Sequence, residues 1–195
     1  MGPDWLSKAQ RQPVEWPDYY GDLTLTVIAP KYYYPERRKS DKYSDLIRKS
    51  KTEDLSDVFL KKLVAVFGDK LPDDPDLIVV VPGSQTNSFS PTLLELGKKL
   101  SSHYNVPNEN ILTRTCATKK QSYCKTKDER HKAVSGTIGL REPVKTNLSK
   151  YQRALLLDDI RTTGMTLLEC AKVLKGVGIK DFIAVCLGIN APKDK

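Results

Sequence analysis

Apolar residues follow two rhythms along the chain. Short continuous runs occur at Leu77 to Val81, within "QRALLLDD" and within "DFIAVCLGI", bounded by Pro, Asp or Gly. Runs of that length suit buried parallel strands better than helices. Elsewhere the apolar residues return at helical spacing. "TEDLSDVFLKKLVAVFGDK" puts Leu55, Val58, Phe59, Leu63 and Val66 on one helical face, with Gly68 placed to end it. Ser90-Pro91 supplies an N-cap and first-turn proline for a helix to about Tyr104, with Leu93, Leu96, Gly97 and Leu100 on its inner face. Thr166 to Lys175 is a third such helix, with Leu167, Leu168, Ala171 and Leu174 facing inward and Gly176 closing it. "NILTRTCAT" reads as a further strand, "SGTIGL" as a short one, and "DLTLTVI" alternates as a half-buried strand does.

Strands alternating with amphipathic helices predict an α/β fold, a parallel sheet flanked by helices. In such sheets ligands sit beyond the carboxyl ends of the strands. The first forty residues, rich in Pro and aromatics, read as a small N-terminal hood or appendage, so residues 1–41 are set apart from an α/β domain at 42–195.

At 195 residues, with 39% hydrophobic and 29% charged residues, the chain suits a globular protein with a single core. "MGPDWLSKAQRQPVEW" has no apolar stretch of the signal-peptide kind and no membrane span is evident, so a cytoplasmic protein is expected. Cys116, Cys124, Cys170 and Cys186 form no CxxC pair, and only His103 and His131 could complete a metal site. A structural zinc and disulfides are therefore not expected. Trp5 and Trp16 are assigned to packing, and His103 and His131 to the surface. The net charge of +8 points to an anionic partner. The excess lies in Lys31 to Lys51 and in Arg114 to Lys132.

The chemistry concentrates in "LLLDDIRTTGMT", Leu155 to Thr166. A tight turn opening a helix presents unpaired backbone N–H groups and the positive end of the helix dipole, which suits a phosphate. Gly164 permits close approach, and Thr162, Thr163 and Thr166 offer hydroxyl donors. Asp158 and Asp159 would repel a phosphate unless they serve a cation or sugar hydroxyls, which suggests a phosphorylated sugar. No GxxxxGK[ST] and no GxGxxG is present, so a Mg-NTP loop and a Rossmann dinucleotide loop are disfavoured.

This stretch resembles the signature of type I phosphoribosyltransferases, which bind 5-phosphoribosyl 1-pyrophosphate (PRPP). From Lys42 to Ile189 the chain is similar to the ComF-like branch: "KY..li...K" at Lys42 to Lys51, an apolar strand ending in Pro, and a segment matched by Arg114, Gln121 and Arg130. The resemblance implies a type I phosphoribosyltransferase fold and a Mg2+-dependent transfer of phosphoribose to a nitrogen acceptor with release of pyrophosphate. It implies Asp158 and Asp159 on the ribose hydroxyls, directly or through Mg-bound water, with no direct protein ligand to the metal. Arg161, Thr162, Thr163, Gly164, Met165 and Thr166 would hold the 5-phosphate. Pro82, Gly83 and Ser84 would serve the pyrophosphate, with Arg114, Lys119, Lys120, Gln121 and Arg130 in a basic closing hood. The chain departs from the branch in three places. A Tyr-rich segment, Tyr19 to Tyr34, stands where many ComF-like domains carry a zinc module, "SQTNSFS" replaces an Arg-Gly-Phe-Asn-Gln run, and Ala133 replaces an Asn.

Two other readings stay open at the level of sequence. One is a sensor that binds PRPP or a nucleotide without turning it over. The other is association with nucleic acid or a partner protein through residues 31–51, where Tyr32, Tyr33 and Tyr34 lie beside Lys31, Arg37 and Arg38. Superfamily members often pair, and a homodimer is one assembly the resemblance implies.

Overall fold

The computed structural model of the chain describes residues 9–35, 41–117, 124, 126–141 and 147–192. Within them run β1 (Gln10–Glu15), α1 (Pro17–Tyr20), β2 (Thr24–Ala29), β3 (Tyr32–Tyr33), α2 (Lys42–Lys49), α3 (Ser56–Phe67), β4 (Leu77–Val80), α4 (Pro91–Tyr104), β5 (Leu112–Arg114), α5 (Lys127–Lys132), β6 (Ile138–Leu140), β7 (Arg153–Arg161), α6 (Met165–Lys175) and β8 (Asp181–Asn190).

The main sheet has the order β1-β2-β8-β7-β4, with β3 also paired to β8. Strands β2, β3, β7 and β4 pair in parallel, whereas β1 lies antiparallel on β2. The sheet is therefore mixed and mostly parallel, not wholly parallel as the alternation predicts. The short link through α1 explains the exception, because a parallel pair needs a crossover of a dozen or more residues.

A second difference concerns "NILTRTCAT". Two residues before it Asn108 bridges to Ile78 beside β4; the chain then leaves the sheet, and β5 forms a separate antiparallel pair with β6. Leu112 and Arg114 are buried and Thr113 between them is not. That alternation suits a small outlying ladder, whereas an inner parallel strand is apolar on both faces.

Strand β7 is such an inner strand. Ala154 and Leu156 belong to one core, Leu155 and Leu157 to the other, and all four are fully buried. Burying one leucine contributes about 1.5–3 kcal/mol, so this strand is held firmly from both faces. On the first face α6 packs Leu167, Leu168, Ala171 and Leu174 against Val27, Val79 and Ala184. On the second, α2, α3 and α4 pack Tyr43, Ile47, Phe59, Leu63, Leu96 and Leu100 against Ile78, Val80 and Val185. Val58, assigned by its spacing to the inner face of α3, is instead 36% exposed.

The ends of the helices follow local chemistry. Asp41 caps α2 by accepting from the backbone N–H groups of Tyr43 and Ser44 at 2.9 and 3.1 Å. Ser90 caps α4, and Asn105 ends it in the left-handed conformation. A Cβ on Gly97 would stand 3.0 Å from Val80 Cγ2, so the absence of a side chain lets α4 settle on β4. Among the described residues no helix is long and apolar enough to cross a membrane.

Candidate functional site

Asp158 and Asp159 lie within β7, not at its end. Because β8 runs on to Asn190, the pairing continues past the acids to Ile160 opposite Gly188 and Arg161 opposite Ile189. The pleat sends adjacent side chains to opposite faces. Asp159 meets Lys51 from the turn after α2, with Nζ 3.0 Å from Oδ2. Asp158 leaves on the α6 side, where its charge acts on Cys170 and Arg114. The two carboxylates are still close enough at the rim to repel. Burial, then the charge of Asp159, pushes the Asp158 carboxyl up to about 8, while the Asp159 backbone N–H and Lys51 act the other way. For Lys51, burial disfavours its charge, but the Asp159 carboxylate, aided by Asp158, outweighs burial and raises it.

Lys51 stands on a braced turn. Ser90 Oγ donates to Ser50 O at 2.9 Å, and Thr92 Oγ1 donates to Glu53 O at 2.7 Å, so the start of α4 holds the link between α2 and α3. Lys51 is part of the basic run in the sequence and closes the pattern "KY..li...K", but its partner Asp159 is far away in the chain. That closing lysine was the one signal for it.

The turn 162–164 follows. Thr162 is exposed, Thr163 and Thr166 are half-buried, and Gly164 and Met165 are buried. The Met165 side chain is core, so only its backbone belongs to the turn. Gly164 caps α6 with φ +82°, and a Cβ there would come 2.4 Å from Val14 Cγ1. Trp16 Nε1 donates to Thr163 O at 3.2 Å, and Arg161 Nη1 donates to Gln12 Oε1. Burial lowers the Arg161 guanidinium, and its Nε has no described partner. Thus β1 and Trp16 close one side of the turn, Thr162 stays exposed, and Trp16 does more than pack.

Alongside β7, Val81 donates from its backbone N–H to Leu157 O at 2.9 Å, which places the Pro82–Ser84 turn next to Asp158. Pro82 is buried and Ser84 exposed. Arg114 is only 3% exposed: Nε donates to Gly83 O at 2.9 Å and Nη1 to Thr137 Oγ1 at 2.7 Å. Burial lowers its guanidinium against the pull of nearby acids and thiols, Cys170 and Asp158 first. It braces the turn from behind.

Arg130 Nε donates to Cys124 O at 3.3 Å, and no described contact joins it to the acid pair. Lys119, Lys120 and Gln121 of the predicted hood lie outside the described residues, as do Arg37 and Arg38. Helices α1 and α5 also meet: Tyr19 donates from its hydroxyl to Asp128 and stacks on His131, ring centroids 4.2 Å apart. Glu169, 2% exposed, was not anticipated; Oε1 accepts from the Gly136 N–H at 2.7 Å and Oε2 has no described partner.

Among the described residues no three or more His, Cys, Asp or Glu side chains gather into a metal cage. Mg2+ commonly keeps its waters and is held by one or two carboxylates together with substrate phosphates; at this rim the carboxylates of the right type are Asp158 and Asp159, on opposite faces of β7, so a cation would meet them through water. In the Tyr-rich segment, Tyr32 packs on one core and Tyr33 on the other, with Arg48 over the Tyr33 ring at 5.9 Å. A cavity of about 560 Å3, lined by Asp22, Asp73, Asp74, Arg153 and Lys175 among others, opens at the amino-terminal end of β7, opposite the acids. In comparisons with known proteins, no family model matches the chain and no curated protein is significantly similar to it.

Proposed function

We propose that this chain binds PRPP, or a related ribose phosphate, at the rim of β7 and transfers the phosphoribosyl group to a nitrogen acceptor. The acceptor nitrogen forms the new bond to C1 of the ribose, the C1–O bond to pyrophosphate breaks, and the acceptor's proton passes to solvent. The observation that carries this reading is contiguity: two carboxylates on an inner strand run directly into a threonine-lined turn that opens α6, with the Pro82–Ser84 turn alongside.

In this reading the backbone of Thr162 to Thr166 holds the 5-phosphate with the help of the helix dipole. Asp158 and Asp159 accept from the ribose hydroxyls and lie where positive charge grows at C1, which preorganised negative charge stabilises. The Pro82–Ser84 turn meets the pyrophosphate. Mg2+ arriving with the pyrophosphate, held through water by the acid pair, would neutralise the charge of the leaving group.

The test is a thermal melt with PRPP and Mg2+, followed by pyrophosphate release across a panel of nitrogen acceptors. PRPP should raise the melting temperature, since a ligand at 100 times its Kd adds about 2.7 kcal/mol. Asp159→Asn should abolish release. A melt unmoved by millimolar PRPP with Mg2+ sinks the proposal, while binding without release with any acceptor makes the chain a sensor.

A further inference from the structure

We infer that Trp16 is a positioning residue for the phosphate turn: its indole N–H fixes the Thr163 carbonyl and thereby aims the Gly164 N–H at the ligand. The inference rests on the phosphate reading above. It begins from a weakness of that turn. Gly164 is needed there because φ is +82° and Val14 leaves no room for a Cβ. Yet glycine accepts either sign of φ with little cost, so the peptide before it is free to flip. A flipped Thr163–Gly164 peptide would present a carbonyl oxygen, not an N–H, to an anion.

The contact with Trp16 removes that freedom. A trans peptide is planar, and its C=O and N–H point in opposite directions. With Thr163 O accepting from Trp16 Nε1 at 3.2 Å, the Gly164 N–H must point away from Trp16. The next peptide is fixed as well, because Gly164 O accepts from the Leu168 N–H at 3.0 Å. Gly164 is buried, and among the described residues its own N–H donates to no hydrogen bond. A buried amide is ordinarily paired, so an N–H held in this orientation is ready for an acceptor from outside the chain. Trp16 is itself anchored, its carbonyl accepting from the N–H groups of Tyr19 and Tyr20 at 3.0 and 2.9 Å.

The experiment compares wild type with Trp16→Phe, which keeps an aromatic ring and deletes the donor. Ribose 5-phosphate is titrated by calorimetry and by the amide spectrum of 15N-labelled protein. Affinity should fall about 3- to 10-fold, the loss of one hydrogen bond. In wild type the Gly164 amide should move downfield with ligand; in the variant that movement should shrink. A lower melting temperature with unchanged affinity and an unchanged Gly164 response would make Trp16 mere packing and overturn the inference while leaving the phosphate reading intact. If wild type binds neither ribose 5-phosphate nor PRPP with Mg2+, the phosphate reading falls and this inference with it; if it binds PRPP alone, the same comparison of wild type and Trp16→Phe is made with PRPP. Should Trp16→Phe not fold, replacing the Trp16 indole by benzothiophene keeps the shape, deletes only the N–H, and must give the same loss.

Discussion

Lys51 and Asp159, from opposite halves of the chain, meet as an ion pair at 3.0 Å on the α2 side of the sheet. The lysine side chain is 53% exposed and the carboxylate 24%, so the pair itself adds little to stability. Its weight is electrostatic: it offsets one of two adjacent negative charges and acts against the upward push on Asp158. Lys51→Met should therefore change unfolding free energy by less than about 1 kcal/mol. It should nevertheless move the pH midpoint of PRPP binding upward, because Asp158 would face an unopposed Asp159. Calorimetric titrations between pH 6 and 9 read that midpoint, and an unmoved value rules out the coupling.

Asp158 carries its own pH signature. Its folded value, about 8, lies above the ordinary 3.8 through burial and the charge of Asp159. A group raised in this way contributes stability that is whole below the unfolded value and lost as pH climbs through the folded one. Wild-type stability should thus carry a component that declines between about pH 4 and 8. Asp158→Asn keeps the shape and removes the titration. Its unfolding free energy, from urea melts at pH 5, 7 and 9, should lack that decline and exceed wild type by about 0.5–2 kcal/mol at pH 9. PRPP turnover should be lost in the same variant, the usual opposition of stability and function at a site. A variant less stable than wild type at pH 9 contradicts the burial of an ionised Asp158.

Arg114 turns its guanidinium to acceptors of the chain itself. Gly83 O and Thr137 Oγ1 both depend on it. Arg114→Met should fill the space but strand those acceptors, costing about 1–3 kcal/mol, and should loosen the turn. Faster hydrogen exchange at Gly83, whose N–H now donates to Ser88 O at 2.7 Å, is the expected sign. Unchanged exchange there would mean that the turn stands without its brace.

What the sequence shows of this fold is what local periodicity can encode. The runs at Leu77 to Val80 and Leu155 to Leu157, the Ser90-Pro91 start of α4 and the inner face of α6 can be read from neighbours in the chain. Strand β1 is a different case: burial alternates along "QRQPVE", but two of the three inward positions are Gln10 and Gln12 and only Val14 is apolar, so no apolar alternation marks the segment as a strand or as a neighbour of the turn 162–164. The contacts of Trp16 with Thr163, of Lys51 with Asp159 and of Arg114 with Gly83 are long-range choices that neither spacing nor propensity contains. Arg114 is the plainest instance, since an arginine in an alternating strand reads as exposed until the second acceptor, Thr137, is in view.

The closeness of β1 to the turn can be measured with two small substitutions. Gly164→Ala meets two separate obstacles: a left-handed backbone, costing an L-residue about 1–2 kcal/mol, and a Cβ 2.4 Å from Val14 Cγ1, overpacking that adds about 1–3 kcal/mol. Val14→Ala removes the second obstacle and leaves the first. The single variants should each destabilise, whereas Gly164→Ala made in the Val14→Ala background should cost only the backbone part. The double-mutant cycle should then show a favourable coupling of about 1–3 kcal/mol. Additive effects would mean that Val14 yields readily and that β1 does not define the shape of the turn. A strong coupling would tie the amino-terminal strand to the turn 162–164 through the Val14 side chain, independent of any ligand.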